Sequence, residues 1–396
     1  METYRKISVL SLVILLASCA SSRLYLPESK VDLVEVPGGF SARMWGDELP
    51  RDVEERVEIL AEQFGGRYDT DIFINPPTYL ALSGGGSRGA FGAGLLKGWS
   101  ESGTRPEMFI VSGISTGALI APFAFLGPEY DDELEMFYTS ISTEDLVARR
   151  SFLRGLFSDS FYDTRRLKSM LRNTVDRLMI ADIAAEYRRG RRLFIGTTNL
   201  EARRPVIWNI GAIADVGTPE ADQLIRDVML ASASIPGVFP PVRIKVSHNG
   251  EVFEEIHADG GVSNQVFLFP LQVDYQKARE TIGVSKEHVV YVIRNGYLDP
   301  RWGQVELKFT SIVASSLDTV IRTQGIGDLY RIYLGAVRDG AQFRLAHIST
   351  EFQHTSTELF DPVYMRALFD YGYERARNGY PWESAPPGVE AELLDP

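Results

Sequence analysis

Short apolar runs alternate with longer amphipathic repeats through most of the chain. Residues 79–82 form the first run, and their continuous apolar character is typical of a buried parallel strand. A helical segment through Trp99 follows, and residues 108–111 predict a second strand. Residues 116–126 then predict an apolar helix. Because both strand-to-helix connections are rich in glycine, the pattern predicts two neighbouring turns at one edge of a sheet.

The same alternation continues toward the C-terminus. Clusters of apolar and β-branched residues predict strands at 192–199, 205–210, 242–246, 252–256, 288–293 and 342–346. Helical spacing predicts helices at 53–64, 129–144, 164–187, 222–233 and 359–377, and one or two more at 305–338. Asn249-Gly250 indicates a tight hairpin between two of the strands. The alternation predicts the α/β class, with a wound, mainly parallel sheet flanked by helices.

The N-terminus has a different character. Arg5 and Lys6 precede an apolar run at residues 7–17, which is too short to span a bilayer but typical of a signal peptide. Ser18 and Cys19 follow, and Cys19 is the only cysteine. The arrangement resembles a bacterial lipoprotein signal, in which Cys19 becomes the acylated first residue. An ordinary secretory peptide with a chance cysteine is the alternative.

This N-terminal pattern predicts an exported, lipid-anchored protein of the cell envelope. Ala20, rather than an aspartate, follows the cysteine, which favours the outer membrane. The net charge of −12 argues against nucleic acid as a partner, because phosphate backbones select for lysine and arginine. We divide the chain into a signal peptide at 1–18, a tether and lead-in at 19–75, a core domain at 76–275 and a C-terminal α/β extension at 276–396.

The second glycine-rich turn has the pattern Gly-x-Ser-x-Gly, with Ser115 between Gly113 and Gly117. A serine hydroxyl attacks an ester only when a base takes its proton and its backbone exposes it. A sharp strand-to-helix turn holds such a serine in a strained conformation, and the flanking glycines avoid Cβ clashes. Because this turn lies between an apolar strand and an apolar helix, we predict that Ser115 is a nucleophile rather than an ordinary turn serine.

The first turn is a glycine-rich loop directly after the strand at 79–82. Such a loop can direct several backbone N–H groups to one point, where they would stabilise the oxyanion of ester cleavage. The predicted oxyanion-hole residues are Gly84, Gly85, Gly86, Ser87, Arg88 and Gly89. The loop also fits the dinucleotide-binding pattern Gly-x-Gly-x-x-Gly, but that fold needs an acidic residue at the end of the next strand. Ser112 and Gly113 stand there, which argues against a nucleotide site.

Asp259 is the predicted general base. It follows a predicted strand and precedes Gly260 and Gly261, so another backbone segment can approach it closely. A carboxylate whose pKa is raised toward neutrality by burial can take the serine proton directly. The sequence therefore favours a serine–aspartate pair.

The histidines provide the alternative base. A Ser-Asp-His triad needs a histidine after the acid, and His347 and His354 are the candidates. His257 is interpreted as structural, because we expect its strand to turn it away from the site.

Four segments together resemble the patatin-like phospholipase family. They are the glycine loop at 84–89, the serine turn at 113–117, Ala-Ser-Ala-Ser-Ile-Pro-Gly-Val-Phe-Pro at 231–240, and Asp259-Gly260-Gly261. They occur in the family's order, and the matching region spans about residues 78–271. Ser83 stands where the family often has an acid, and no proline closely follows Asn264, where many members have Asn-Pro.

The resemblance implies a patatin-like three-layer α/β/α hydrolase that cleaves acyl esters of membrane lipids or lysolipids. It implies a dyad in which Ser115 attacks the carbonyl and Asp259 takes its proton, with the glycine loop as oxyanion hole and neither metal nor cofactor. Two other functions stay open. One is a Ser-Asp-His carboxylesterase, and the other is a non-catalytic binding or scaffold protein of the envelope.

Overall fold

The computed structural model describes residues 24–49, 77–140, 148–149, 162–268, 288–356 and 358–389. The predicted signal peptide, Cys19 and the predicted helix at 53–64 lie outside these residues. Within them, no helix is long and apolar enough to cross a membrane.

The described residues form these strands in chain order: β1 Arg43–Trp45, β2 Thr78–Leu82, β3 Ile110–Ile114, β4 Ala148–Arg149, β5 Tyr162–Asp163, β6 Arg192–Asn199, β7 Arg204–Asn209, β8 Val242–His248, β9 Glu251–Asp259, β10 Val289–Tyr297 and β11 Gln342–Ile348. The α-helices are α1 Gly89–Glu101, α2 Thr116–Leu126, α3 Asp131–Thr139, α4 Arg165–Thr174, α5 Arg177–Arg188, α6 Ile210–Ala214, α7 Pro219–Ser232, α8 Phe309–Arg338 and α9 Pro362–Arg377.

One nine-stranded mixed sheet forms the centre of the fold. Its main path runs β1-β7-β6-β3-β2-β10-β11, and β9 pairs with both β6 and β8. Along this path β6, β3, β2, β10 and β11 run parallel to one another, whereas β7 and β9 pair antiparallel with β6, β1 with β7, and β8 with β9. The predicted domain division stays a prediction, although β10 and β11 of the last segment belong to this same sheet.

Helices cover both faces of the sheet, as the α/β prediction requires. Successive residues of β2 enter two different cores, with Leu80 and Leu82 in one and Tyr79 and Ala81 in the other. Residues of α1, α2, α7 and α9 fill the first core, and residues of α8 fill the second. Strands buried on both faces explain the continuous apolar run that predicted β2. The predicted α/β fold is confirmed.

The hairpin between β8 and β9 also follows the prediction. Asn249 has φ 51° and Gly250 has φ 80°, which are the left-handed conformations that a two-residue hairpin turn requires. The outward-facing residues of β8 alternate with buried ones, as expected for a strand with one solvated face.

Several element boundaries differ from the predictions, and two of the differences have a clear physical cause. The single helix predicted at 164–187 is two helices, α4 and α5, because the Asp176 carboxylate accepts hydrogen bonds from the N–H groups of Leu178 and Met179 and starts a new helix. Leu178, in the first turn of the new helix, is 74% exposed. The strand predicted at 108–111 is β3, which continues to Ile114 because β2 and β6 pair with it on both sides.

Candidate active site

Ser115 lies in the sharp turn between β3 and α2. Its φ of 55° and ψ of −123° are strained for a residue with a side chain. The two flanking glycines permit this turn, because a Cβ at Gly117 would overlap the carbonyl oxygen of Leu82 and a Cβ at Gly113 would overlap the carbonyl of Gly117. The strained backbone therefore presents the side chain of Ser115 at the carboxyl edge of the parallel strands, as the motif predicts.

Strand pairing brings Asp259 to Ser115. β3 pairs with β6 up to Gly196, opposite Ile114, and β9 pairs with the continuing residues of β6 from Thr197, opposite Asp259. The ends of β3 and β9 therefore meet at consecutive residues of one strand. A Cβ at Gly260 would overlap the carbonyl oxygen of Gly196, so only glycine permits this approach.

The Asp259 carboxyl is buried, with 4% of the residue exposed. Burial raises its pKa to about 7, although the nearby Ser115 hydroxyl and the Gly261 N–H both act to lower it. Its Oδ1 accepts a hydrogen bond of 2.7 Å from the N–H of Gly261, whereas Oδ2 has no partner within hydrogen-bond distance in the described part of the chain. A carboxylate in this state can hold a proton near neutral pH.

Two serines of the segment at 231–240 support this pair, and sequence reasoning assigned them no role. The Ser232 hydroxyl accepts a hydrogen bond of 3.0 Å from the N–H of Ser115 and donates one of 2.6 Å to the carbonyl oxygen of Gly196. The carbonyl oxygen of Ser234 accepts a bond of 3.0 Å from the N–H of Asp259. The only sequence feature that pointed to them was their place in the segment at 231–240, which resembles a motif of the family.

The glycine loop lies against the serine turn. A Cβ at Gly84 would lie 3.2 Å from the Cβ of Ser115. Of the six predicted oxyanion-hole residues, three use their N–H groups elsewhere: Gly84 donates to Gln265, Arg88 to Gly85, and Gly89 to the carbonyls of the preceding turn. The predicted set therefore narrows to the N–H groups of Gly85, Gly86 and Ser87.

Residues of β10 hydrogen bond to the start of this loop and hold it in place. The Ser83 hydroxyl accepts hydrogen bonds from the N–H of Asn295 at 2.8 Å and from the guanidinium of Arg294 at 3.1 Å. The Asn295 amide donates to the carbonyl of Ser83 and accepts from the N–H of Gly92. Burial lowers the pKa of Arg294 to about 10. Ser83 is thus part of the loop's support.

The loop after Asp259 is held by α8. The buried Asp328 carboxylate accepts hydrogen bonds from the N–H groups of Gln265, at 2.6 Å, and Val266. Gln265 also accepts the N–H of Gly84 and donates from its amide to the carbonyl of Gly261. This segment therefore connects the aspartate loop to the glycine loop without the proline that many family members have there.

A narrow apolar pocket opens at Ser115. Gly86 and Thr116 border it beside Ser115. Its walls come from α2, α3, α4 and α9, from the segment after α7 and from the approach to α9: Leu119, Phe137, Tyr138, Leu167, Met170, Ala233, Ile235, Phe239, Phe360 and Met365. A hydrocarbon chain fits such walls better than a polar group does.

None of the chain's five histidines hydrogen bonds with Ser115 or Asp259. His347 binds Glu383 at 2.8 Å and lies at the end of β11, three strands from β3, or roughly 14 Å at about 4.8 Å per strand. His354 is exposed and contacts the ring of Phe352.

His257 is buried between two polar partners. Its ring nitrogens lie 2.9 Å from Thr197 Oγ1 and 3.0 Å from Glu255 Oε2, and burial lowers its pKa. Residues two apart in a strand share a face, so strand alternation does not turn His257 away from the site, and that part of the sequence argument was wrong. These hydrogen bonds, rather than its direction, keep His257 in a structural role.

A match to a known family accompanies this geometry. Residues 80–271 match the family model described as patatin-like phospholipase. The chain is also similar to a cUMP-AMP-activated phospholipase from Escherichia coli, with 25% identity over 322 residues covering 75% of this chain and 91% of that protein. Among the described residues, no group of three or more histidine, cysteine, aspartate or glutamate side chains could hold a metal ion.

Two solved structures resemble the fold. VipD from Legionella pneumophila has a TM-score of 0.37 at 13% identity, covering 76% of this chain and 66% of that one. Human GIVD cytosolic phospholipase A2 has a TM-score of 0.31 at 12% identity, covering 81% of this chain and 54% of that one. The chain thus spans less than two thirds of each of these longer proteins.

Proposed function

Because residues 80–271 of this chain are a patatin-like phospholipase domain, we propose that it is a lipid acyl hydrolase that cleaves carboxylic esters through Ser115 and Asp259. The observation that carries the proposal is the meeting of a strained serine with a buried carboxyl at the mouth of an apolar pocket. A nucleophile, a base of suitable pKa and a site for hydrocarbon are the three parts that such a reaction needs.

The reaction proceeds in two halves. Asp259 takes the hydroxyl proton of Ser115 while Oγ attacks the acyl carbonyl, and the carbonyl carbon becomes tetrahedral. Collapse of this intermediate breaks the ester bond, and protonated Asp259 gives its proton to the departing alcohol. Water then gives a proton to Asp259 as it attacks the acyl-enzyme. Collapse of this second intermediate breaks the bond to Ser115 Oγ and releases the fatty acid, and Asp259 returns its proton to Oγ.

The oxyanion of each tetrahedral intermediate is assigned to the glycine loop. Gly86 lines the same pocket as Ser115, and the N–H groups of Gly85 and Gly86 form no hydrogen bond in the described structure. Donors that are already oriented stabilise a developing charge without reorganisation. The buried positive charge of Arg294 below the loop acts in the same direction.

The substrate class follows from the pocket. Its aliphatic and aromatic walls favour the acyl chain of a phospholipid or lysophospholipid, with the ester carbonyl held at Ser115. Membrane lipids are therefore the proposed substrates.

The direct test is release of free fatty acid from mixed phospholipid vesicles. Wild-type protein is expected to release fatty acid, and Ser115→Ala to be slower by roughly a thousand-fold or more. A fluorophosphonate should label the wild type and leave the variant unlabelled. Labelling without fatty acid release would leave a serine hydrolase with another substrate. Absence of both would support a non-catalytic scaffold instead.

The N-terminal anchor remains part of the proposal. Cys19 is the one residue at which a lipoprotein signal can be acylated, and attached acyl chains contribute about 0.8 kcal/mol per buried methylene. We expect the wild type to extract with the envelope membranes into detergent and Cys19→Ser to lose this behaviour or its maturation. Unchanged membrane extraction and processing of Cys19→Ser would contradict the anchor.

A further inference from the structure

The segment that leads into α8 and the first half of that helix expose a run of large apolar side chains. Trp302 is 88% exposed, Leu307 95% and Phe309 82%. Five more lie between them or further along the helix: Val305, Ile312, Val313, Leu317 and Val320. We call residues 302–320 the apolar ridge. Exposed apolar side chains are common singly, but a contiguous set of this kind marks an interaction surface.

The helical part of the ridge is an amphipathic stripe with its apolar side toward solvent. Phe309, Ile312, Val313, Leu317 and Val320 follow one another at the three- and four-residue spacing that puts side chains on one face. In a surface helix such a face normally packs on the core. In the second half of α8 the buried residues, Leu329 and Tyr333, lie on the other side of the helix and pack on the core, whereas the stripe of the first half stands in solvent.

The charge pattern shows what kind of surface the ridge suits. Residues 309–317 contain no charged residue in a chain whose net charge is −12. Lys308 and Asp318 border this stretch on either side. Burying residues 309–317 therefore desolvates no charge, and the charged residues of the ridge, Glu306, Lys308 and Asp318, lie outside that stretch. An uncharged apolar phase bordered by polar groups is its natural complement. Tryptophan at one end suits the boundary between hydrocarbon and water.

The base of the ridge is joined to the active site. Arg88 of the glycine loop lies 3.8 Å from the Asp318 carboxylate, and Arg294 below that loop is 3.5 Å from the carbonyl oxygen of Ile321. Arg301, just before the ridge, packs over the ring of Tyr297 at the end of β10. The base of the ridge therefore lies against the glycine loop, which itself packs against Ser115.

We propose that the apolar ridge inserts into the surface of a lipid bilayer and holds the mouth of the active site against it. The proposal rests on the proposed function, because a lipid substrate is what brings a bilayer to this side of the molecule. A monomeric lipid must leave the bilayer to reach Ser115, and insertion beside the site shortens that transfer. A second copy of the chain is the competing occupant.

Trp302 provides a direct readout of insertion. It is far more exposed than Trp99 or Trp208, which are 4% and 0% exposed, so quenchers within a bilayer reach it first. We would add phosphatidylcholine vesicles with brominated acyl chains to the full chain carrying Ser115→Ala, which consumes no lipid. Quenching is expected, and most of it should disappear when Trp302→Phe is added.

Variants separate the ridge from other exposed surfaces. Leu307→Ser with Phe309→Ser is expected to raise the lipid concentration for half-maximal quenching at least ten-fold. Leu334→Ser, on the same helix and 54% exposed, is the matched control and should have no effect. Protein that sediments with vesicles while Trp302 stays unquenched would overturn the proposal. A change of oligomeric mass in the ridge variants with unchanged quenching would assign the ridge to a second copy and overturn it too.

A kinetic comparison keeps this proposal separate from the proposed function. A variant that keeps Ser115 and carries Leu307→Ser and Phe309→Ser should cleave a water-soluble short-chain ester as fast as the wild type does. It should cleave vesicle lipid at least ten-fold more slowly than the wild type. If the wild type cleaved neither substrate, the proposed hydrolase activity would be rejected, and the quenching experiment alone would test insertion of the apolar ridge. Equal vesicle rates in variant and wild type would reject the ridge alone.

Discussion

Asp259→Asn is expected to lower kcat by roughly a thousand-fold, because removal of a positioned general base typically costs about 10²–10⁴ in rate. The amide keeps the size of the side chain and can still accept the hydrogen bond from the N–H of Gly261. It cannot take the proton of Ser115. Fatty acid release by the purified variant measures the loss, and the fluorophosphonate reaction rate at Ser115 measures the same loss without lipid.

The pH dependence identifies the same carboxyl. Burial raises the pKa of Asp259 to about 7, so kcat/KM of the wild type should rise with pH through an apparent pKa near that value. Because this pKa is higher in the folded than in the unfolded state, the native protein loses stability as pH rises from about 4 through 7. Asp259→Asn should therefore have a higher Tm than wild type at pH 8, with the difference vanishing near pH 4.

The histidines provide the control for this assignment. His347→Ala and His354→Ala are expected to keep near-full activity, because neither ring contacts Ser115 or Asp259. Full activity of Asp259→Asn together with loss of activity in either histidine variant would replace the dyad by a triad.

Gly85→Ala is expected to lower kcat by about 10²–10³, the effect of losing one oxyanion donor. A Cβ at Gly85 would lie less than 3.0 Å from both the carbonyl oxygen and the Cβ of Asn295. β10 is an interior strand of the sheet, so the glycine loop must move instead. The N–H groups of the loop would then no longer point to the oxygen of the substrate carbonyl that Ser115 attacks.

The matched control is Gly327→Ala, because a Cβ there meets no atom within 4 Å and the residue lies inside α8. It should keep full activity and gain a little stability, since alanine favours a helix over glycine by roughly 0.5–1 kcal/mol. The Tm of Gly85→Ala must be measured beside its kcat. A folded Gly85→Ala protein with wild-type kcat would remove the glycine loop from the oxyanion hole.

Much of the site could be predicted because its turns are local. The strained conformation of Ser115 needs a glycine two residues before it and another two residues after it. The close approach of the Gly196 backbone to residue 260 needs a glycine there. Each requirement therefore appears in the sequence as a short motif. The continuous apolar character of β2 and β3 likewise follows from burial on both faces. Helix ends were less predictable, because one carboxylate, Asp176, was enough to divide a continuous helical pattern.

The sequence alone therefore determined the α/β class and the residues of the dyad and glycine loop as candidates. Only the tertiary structure decided how they are held together, because strand pairing joins residues distant in the chain. The hydrogen bond from the N–H of Asn295 to Ser83 spans 212 residues, and the one from Gln265 to Asp328 spans 63. Such partners have no local pattern, since any strand end or helix face can supply an amide or a carboxylate. Only the tertiary structure decided that the apolar stripe in the first half of α8 faces solvent. An amphipathic pattern predicts a helix, but it does not predict which other element packs against the apolar side.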